Sequence, residues 1–227
     1  VYLVQYVRVI ALGLPACSVM TTGSMALHGS GDTIRPAVVT VIVNIVNVIV
    51  SWSLSGANIR FGDSVLANPF EWDLHVIGIA AGTACAYVVG GVLIVIVLLR
   101  GIKDLSLNVR DLVPDFALFW RIARIGVPNF FEGLSMWAAN LFVLQFIGQI
   151  AANMAIEMDA DEPVAQGLQG AHVIGVQWES FSFLPGFAIG IAAGTLAGQY
   201  LGANNAKQAK KAVMSCVLLA VLFMGSL

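Results

Sequence analysis

Charge is what this sequence has least of. Only 11% of its 227 residues are Asp, Glu, Lys or Arg, 59% are hydrophobic, and the mean hydropathy is +0.88. A soluble domain carries about 25% charged residues, so this chain cannot cover a water-facing surface and reads as an integral membrane protein. Its net charge of −2 suggests neither a nucleic-acid partner nor a basic membrane-surface patch. Cysteine is scarce: Cys17, Cys85 and Cys216 lie inside apolar runs without partner spacing. They read as small buried hydrophobes, with neither a disulfide nor a metal role.

Catalytic signatures are missing too. His28, His75 and His172 are expected at helix ends, and no HExxH or Cys/His ligand spacing occurs. GSGDT at 29–33 has no GK[ST] after it and no strand before it, which excludes a phosphate-binding loop. No nucleophile with a base, and no ligand set, lies at mid-membrane depth, so neither an enzyme nor a resident cofactor is expected. Val1 is not a methionine, and no basic region precedes an apolar one. The last apolar run holds sixteen residues after Lys211, short of the roughly 20 that span a bilayer. Both ends read as cut within the membrane-spanning part, so a fragment of a longer protein is expected. No internal repeat is visible.

What is there is a succession of apolar runs of spanning length. They cover about Val9–Leu27, Pro36–Ser55, Val76–Leu99, Leu118–Ile150 and Ala171–Tyr200, with a shorter run from about Ala209. The expected fold class is all-α, a polytopic transmembrane bundle of six helices. The connections carry an alternating charge bias. Nine of the eleven basic residues fall in three of them: Arg35; Arg100, Lys103, Arg110, Arg121 and Arg124; and Lys207, Lys210 and Lys211. The intervening 56–75 connection has only Arg60, and the acidic 151–170 connection has none. Lys and Arg gather on the cytoplasmic side, so the 28–35, 100–124 and 203–211 connections are expected there. Residues 100–117 interleave apolar and charged positions, as would an amphipathic segment lying on the membrane surface or a plain solvated loop.

Two acids fall inside expected spans, Glu132 and Glu179. A carboxylate there costs at least ~2.5 kcal/mol to insert, which makes cation coupling the first explanation and a structural hydrogen bond the other. By the helical rise each lies about 12 Å in from its own membrane edge, so a shared polar cavity is possible. Asn44, Asn47 and Ser51 follow one another at single-turn spacing, fit either to bond between helices or to line a cavity. Met136, Gln177 and Trp178 are further cavity candidates, with packing the alternative for the apolar ones. Pro128 and Pro185 are expected to break their helices and free backbone carbonyls. After Pro185, Gly186, Gly190, Gly194, Gly198 and Gly202 recur every fourth residue. Such spacing makes a groove for close helix approach, though successive positions turn by about 40°, so different glycines face different neighbours.

Four stretches carry a family resemblance. LHGSGDTIRPAVVTVIVNIVNVIV at 27–50, GIAAGTACAY at 78–87, IGVP followed by Glu132, and AHVIGVQWESFSFLPGFAIGIAAGTLAGQYLGA at 171–203 occur in this order. Together they resemble the multidrug and toxic compound extrusion (MATE) transporters. The resemblance implies a twelve-helix protein of two lobes, with this chain holding helices four to nine. Residues 1–99 would be the second half of the N-terminal lobe, 100–117 a cytoplasmic amphipathic linker, and 118–227 the first half of the C-terminal lobe. It implies a multi-pass plasma-membrane antiporter that exports drug-like, often cationic compounds in exchange for H⁺ or Na⁺, as a monomer with no nucleic-acid partner. Glu132 is the implied coupling acid, although in many relatives the acid stands one turn later, where this chain has Met136. Ser51 stands where many relatives have an aspartate. A lipid-linked saccharide flippase of the same superfamily is the alternative, and basic residues within the cavity would favour it.

Overall fold

In a computed structural model the chain is described over residues 2–61, 64–68, 70, 72–101, 115–157 and 163–226. Among the described residues six helices follow the expected order: α1 (Tyr2–Gly29), α2 (Ile34–Ser55), α3 (His75–Arg100), α4 (Phe116–Glu157), α5 (Pro163–Gly202) and α6 (Ala206–Met224). The first five are long and apolar enough to cross a membrane. The all-α expectation holds, with one addition in the α2–α3 connection. There β1 (Ile59–Phe61) pairs antiparallel with β2 (Ser64–Leu66), Ile59 facing Leu66 and Phe61 facing Ser64. Gly62 and Asp63 between the two short apolar stretches are the sequence signal for such a hairpin.

Helices α4 and α5 are longer than expected. Their 42 and 40 residues give about 63 and 60 Å at the helical rise, roughly twice a hydrocarbon core of about 30 Å. Most of the 151–170 connection is therefore helix. Polarity ended the apolar runs in the sequence, but helix continues wherever the backbone bonds are satisfied and no breaker intervenes. Both helices also run through their prolines, Pro128 and Pro185, without interruption. A proline removes one backbone hydrogen bond while the bonds on either side persist, so the expected breaks do not divide these helices. The amphipathic stretch expected at 100–117 falls mostly on 102–114, outside the described residues.

Contacts divide the chain into two compact units, Val1–Val109 with Gly190–Val217, and Arg110–Ile189 with Leu218–Leu227. In the first, α3 packs along both α1 and α2, which barely touch each other. Leu27, Val39, Val43, Ala86, Ile94 and Leu98 form the buried cluster, with Met20, Val46, Leu93 and Val97 against it. Small residues permit this. A Cβ on Gly13 would stand 3.0 Å from the Ala84 backbone, and one on Gly91 would stand 3.0 Å from the Ala16 carbonyl. Gly23 lies beneath Ile94, and Gly90 beneath Met20 and Val43. Without a hydrophobic drive between helices in lipid, close van der Waals contact of this kind holds them together.

In the second unit the side chains of α4 and the start of α5 are largely exposed, including Phe130, Phe131, Trp137, Leu141 and Phe146. Rings pair along each helix: Phe130 with Phe131 at 5.7 Å, and Trp178 with Phe181 at 6.0 Å between centroids. Gly186 faces the Met224 sulfur, which a Cβ there would meet at 2.6 Å.

Candidate functional site

The candidate residues fall into separate places. On α2, Ser51 lies at the contact with α3. Ser51 donates its hydroxyl to Asn47 Oδ1 at 2.9 Å, with the Ile79 carbonyl of α3 as a longer acceptor at 3.4 Å. Gly82 sits directly against Ser51: a Cβ on it would come within 2.6 Å of the Ser51 nitrogen. Asn44, one turn earlier, is exposed. Ser51 thus bonds along its own helix to Asn47 and meets α3 at Ile79 and Gly82.

On α4, Glu132 and Met136 are one turn apart on the same face, and both are exposed. On α5, Gln177, Trp178 and Glu179 are exposed as well. Neither carboxylate has a hydrogen bond or ion pair among the described residues. No contact there joins the two acids. Gln169 Nε2 of α5 lies 3.2 Å from where a Cβ on Gly148 of α4 would sit.

In the glycine run, Gly186 has Met224 beside it, whereas a Cβ on Gly190, Gly194, Gly198 or Gly202 would meet nothing within 4 Å among the described residues. Close approach through glycine is instead realised on α1 and α3. Gly78 and Gly82, part of the motif GIAAGTACAY, were a readable signal for it, being one turn apart.

At the α1–α2 corner, Asp32 accepts from the Arg35 backbone N–H at 3.2 Å and from its guanidinium at 2.8 Å. Burial pushes this carboxyl up, but the two bonds and the charge of Arg35 outweigh burial and hold it below the usual aspartate value. The pair stops the free end of α2 from fraying and fixes the corner. On the α2–α3 side, Gly56 ends α2 in the left-handed conformation, and Asp73 beside it binds His75 Nδ1 at 2.5 Å.

A groove that sequence reading missed lies along the second half of α4. It measures about 580 Å³ and is lined by Leu141, Leu144, Gln145, Gln149, Ala152 and, from α5, Gln169. Gln145 and Gln149, four residues apart within an apolar run, were the available signal. No group of three or more His, Cys, Asp or Glu placed to hold a metal occurs among the described residues.

Comparison with known proteins gives one family and several relatives. The family model described as MatE matches residues 2–53 and 133–227. A probable multidrug resistance protein NorM of Thermotoga maritima is 27% identical over 220 residues, covering 96% of this chain and 42% of the relative. A multidrug export protein MepA of Staphylococcus haemolyticus is 33% identical over 98 residues, 42% of this chain and 22% of the relative. The corresponding MepA of Staphylococcus aureus is 27% identical over 107 residues, 46% of this chain and 24% of the relative. The chain thus spans less than half the length of these curated relatives. No solved structure matches it.

Proposed function

This chain belongs to the MatE family, and from that membership we propose that it is part of a secondary antiporter exporting drug-like compounds in exchange for H⁺ or Na⁺. It is a multi-pass membrane protein of a transporter family, and catalysis of a covalent step is not part of the reading. The family match carries the proposal, and the names of the NorM and MepA relatives point the same way.

Within that reading Glu132 is the coupling acid. Its carboxylate stands on α4 with no partner among the described residues, so its charge is open to a proton or sodium ion. Removing a carboxylate from water raises its affinity for a proton. An acid that changes exposure between two access states then takes up a cation on one side and releases it on the other. Glu179 on α5 is the second acid. The family implies two lobes, 1–99 and 118–227, joined through 100–117, that rock to open the cavity alternately. Packed α1–α3 suits a body that moves as one, since its glycine contacts leave little slack.

The test is ion-driven efflux from vesicles holding the full-length protein. Glu132→Gln is expected to abolish coupled efflux while membrane insertion stays intact. Normal coupled efflux by that variant would remove the role from Glu132.

A further inference from the structure

We propose that the connection between α2 and α3 is an interfacial anchor, lying in the headgroup layer of the bilayer with Leu66, Phe70 and Trp72 in contact with lipid. It rests on α2 and α3 crossing the membrane and not on what is transported, so this idea and the coupling role of Glu132 fail separately.

Hydrogen bonds fix the level of the connection. Asn68 donates through Nδ2 to the Trp52 carbonyl at 2.7 Å and through its backbone N–H to Asn58 Oδ1 at 2.8 Å, while its Oδ1 accepts from the Phe70 N–H at 3.0 Å. Further on, the Leu74 N–H donates to the Leu54 carbonyl at 3.1 Å. The last carbonyls of a helix lack partners within it, and here the following chain supplies them. The connection therefore folds back beside the last turn of α2 and does not stand away in water. Trp52 is seventeen residues past Arg35. At the helical rise that is about 26 Å, a few Å short of the far edge of a hydrocarbon core of about 30 Å. Asn68, Phe70 and Leu74 are thus held at the headgroup boundary.

At that level the connection is apolar on its outside. Val65, Leu66, Phe70, Trp72 and Leu74 are 40 to 60% exposed. Tryptophan gathers at membrane interfaces, and Trp, Phe and Leu are the side chains that surface-lying segments bury at the acyl boundary. The strands point the same way. An isolated two-stranded hairpin such as β1–β2 is marginal in water and needs a layer to pack against.

Charge and continuity select lipid as that layer. Between 56 and 75, Arg60 stands against Asp63, Glu71 and Asp73, so the connection is net negative. It lacks the basic cluster that holds a segment to anionic headgroups, which leaves apolar contact with neutral lipid as the drive. The surface also continues one of the membrane spans: Val41, Ile45 and Val48 lie along an exposed face of α2 that leads to Trp52.

The test uses the full-length protein in proteoliposomes, with its native cysteines replaced by alanine. A bimane is attached at Phe70→Cys or at Trp72→Cys, in separate variants, and is quenched either by phosphatidylcholine brominated near the top of its acyl chains or by iodide in the water. Strong quenching by the brominated lipid is expected at both positions. Iodide quenching should be several-fold weaker than for a bimane–cysteine adduct free in solution. Adding phosphatidylglycerol should not strengthen the contact. Trp72→Asp changes an exposed position, so the fold is kept, and it should raise iodide access at position 70 several-fold. Iodide quenching without lipid quenching would place the connection in water. Protection from both quenchers would place protein over it, whether another segment, a second copy or a partner. Either result overturns the anchor, as do lipid quenching that requires phosphatidylglycerol and unchanged iodide access in Trp72→Asp.

Discussion

Ser51 and Gly82 meet so closely that α2 and α3 leave no room for a methyl group between them. A Cβ on Gly82 would stand 2.6 Å from the Ser51 nitrogen and 2.8 Å from its Cα. The same serine donates to Asn47 at 2.9 Å. One helix contact thus uses a missing side chain on α3 and a serine on α2, and both halves can be tested.

Gly82→Ala should destabilise the protein by about 1–3 kcal/mol, the usual cost of overpacking, because backbone has to move. Gly194→Ala is the contrast, since its added methyl meets nothing within 4 Å among the described residues. It should be neutral or stabilising by up to about 1 kcal/mol through helix propensity. Thermal unfolding of the two variants in one detergent checks this. A Gly194→Ala variant as unstable as Gly82→Ala would show the glycine run packed after all.

Ser51→Ala removes the donor to Asn47 and should cost about 0.5–1.5 kcal/mol of stability. Because Ser51 lies in the α2–α3 contact, transport by the variant should stay within a few-fold of normal in vesicle efflux. A collapse of transport at unchanged stability would return Ser51 to the cavity.

The position of the acid on α4 is testable by moving it. Glu132 and Met136 share a face, one turn or about 5.4 Å apart. In the Glu132→Gln background, Met136→Glu should recover a measurable part of ion-driven efflux. No recovery, in a variant that inserts normally, would mean that depth matters and the shared face does not.

Asp32 should make stability depend on pH. Its carboxyl titrates below the usual aspartate value, so the native state favours the ionised form. That stabilisation is complete above the unfolded value of about 3.9 and fades as pH falls through the lowered native one. Asp32→Asn should cost roughly 0.5–1 kcal/mol near neutral pH, an amount limited by solvent screening at the exposed Arg35. The difference between variant and unaltered protein should shrink below about pH 4. Unfolding followed across that range decides it; a difference that grew with acid would contradict the pairing.

The class of protein, the number of helices and their order could be read from the amino acids alone. Those properties depend on run length and on the scarcity of charge, both local and both dictated by a solvent about 30 Å thick that accepts no unpaired backbone. The amino acids also singled out Glu132 and Glu179, because an acid in an apolar run is costly wherever its helix lies. Facing was a different matter. Gly82 and Gly194 look alike in sequence, each in a helix and each among small residues, yet a Cβ on one would meet Ser51 and a Cβ on the other would meet nothing within 4 Å among the described residues. The same holds for Ser51, whose spacing suited a cavity as well as a helix contact, and which meets Ile79 and Gly82 of α3. These points rest on packing, because a helical pattern specifies which residues share a face but not which neighbour that face meets. The lengths of α4 and α5 and the glutamine groove along α4 belong to the same category. Polarity ended the apolar runs at about Ile150 and began them again at Ala171, while the helices continued past both.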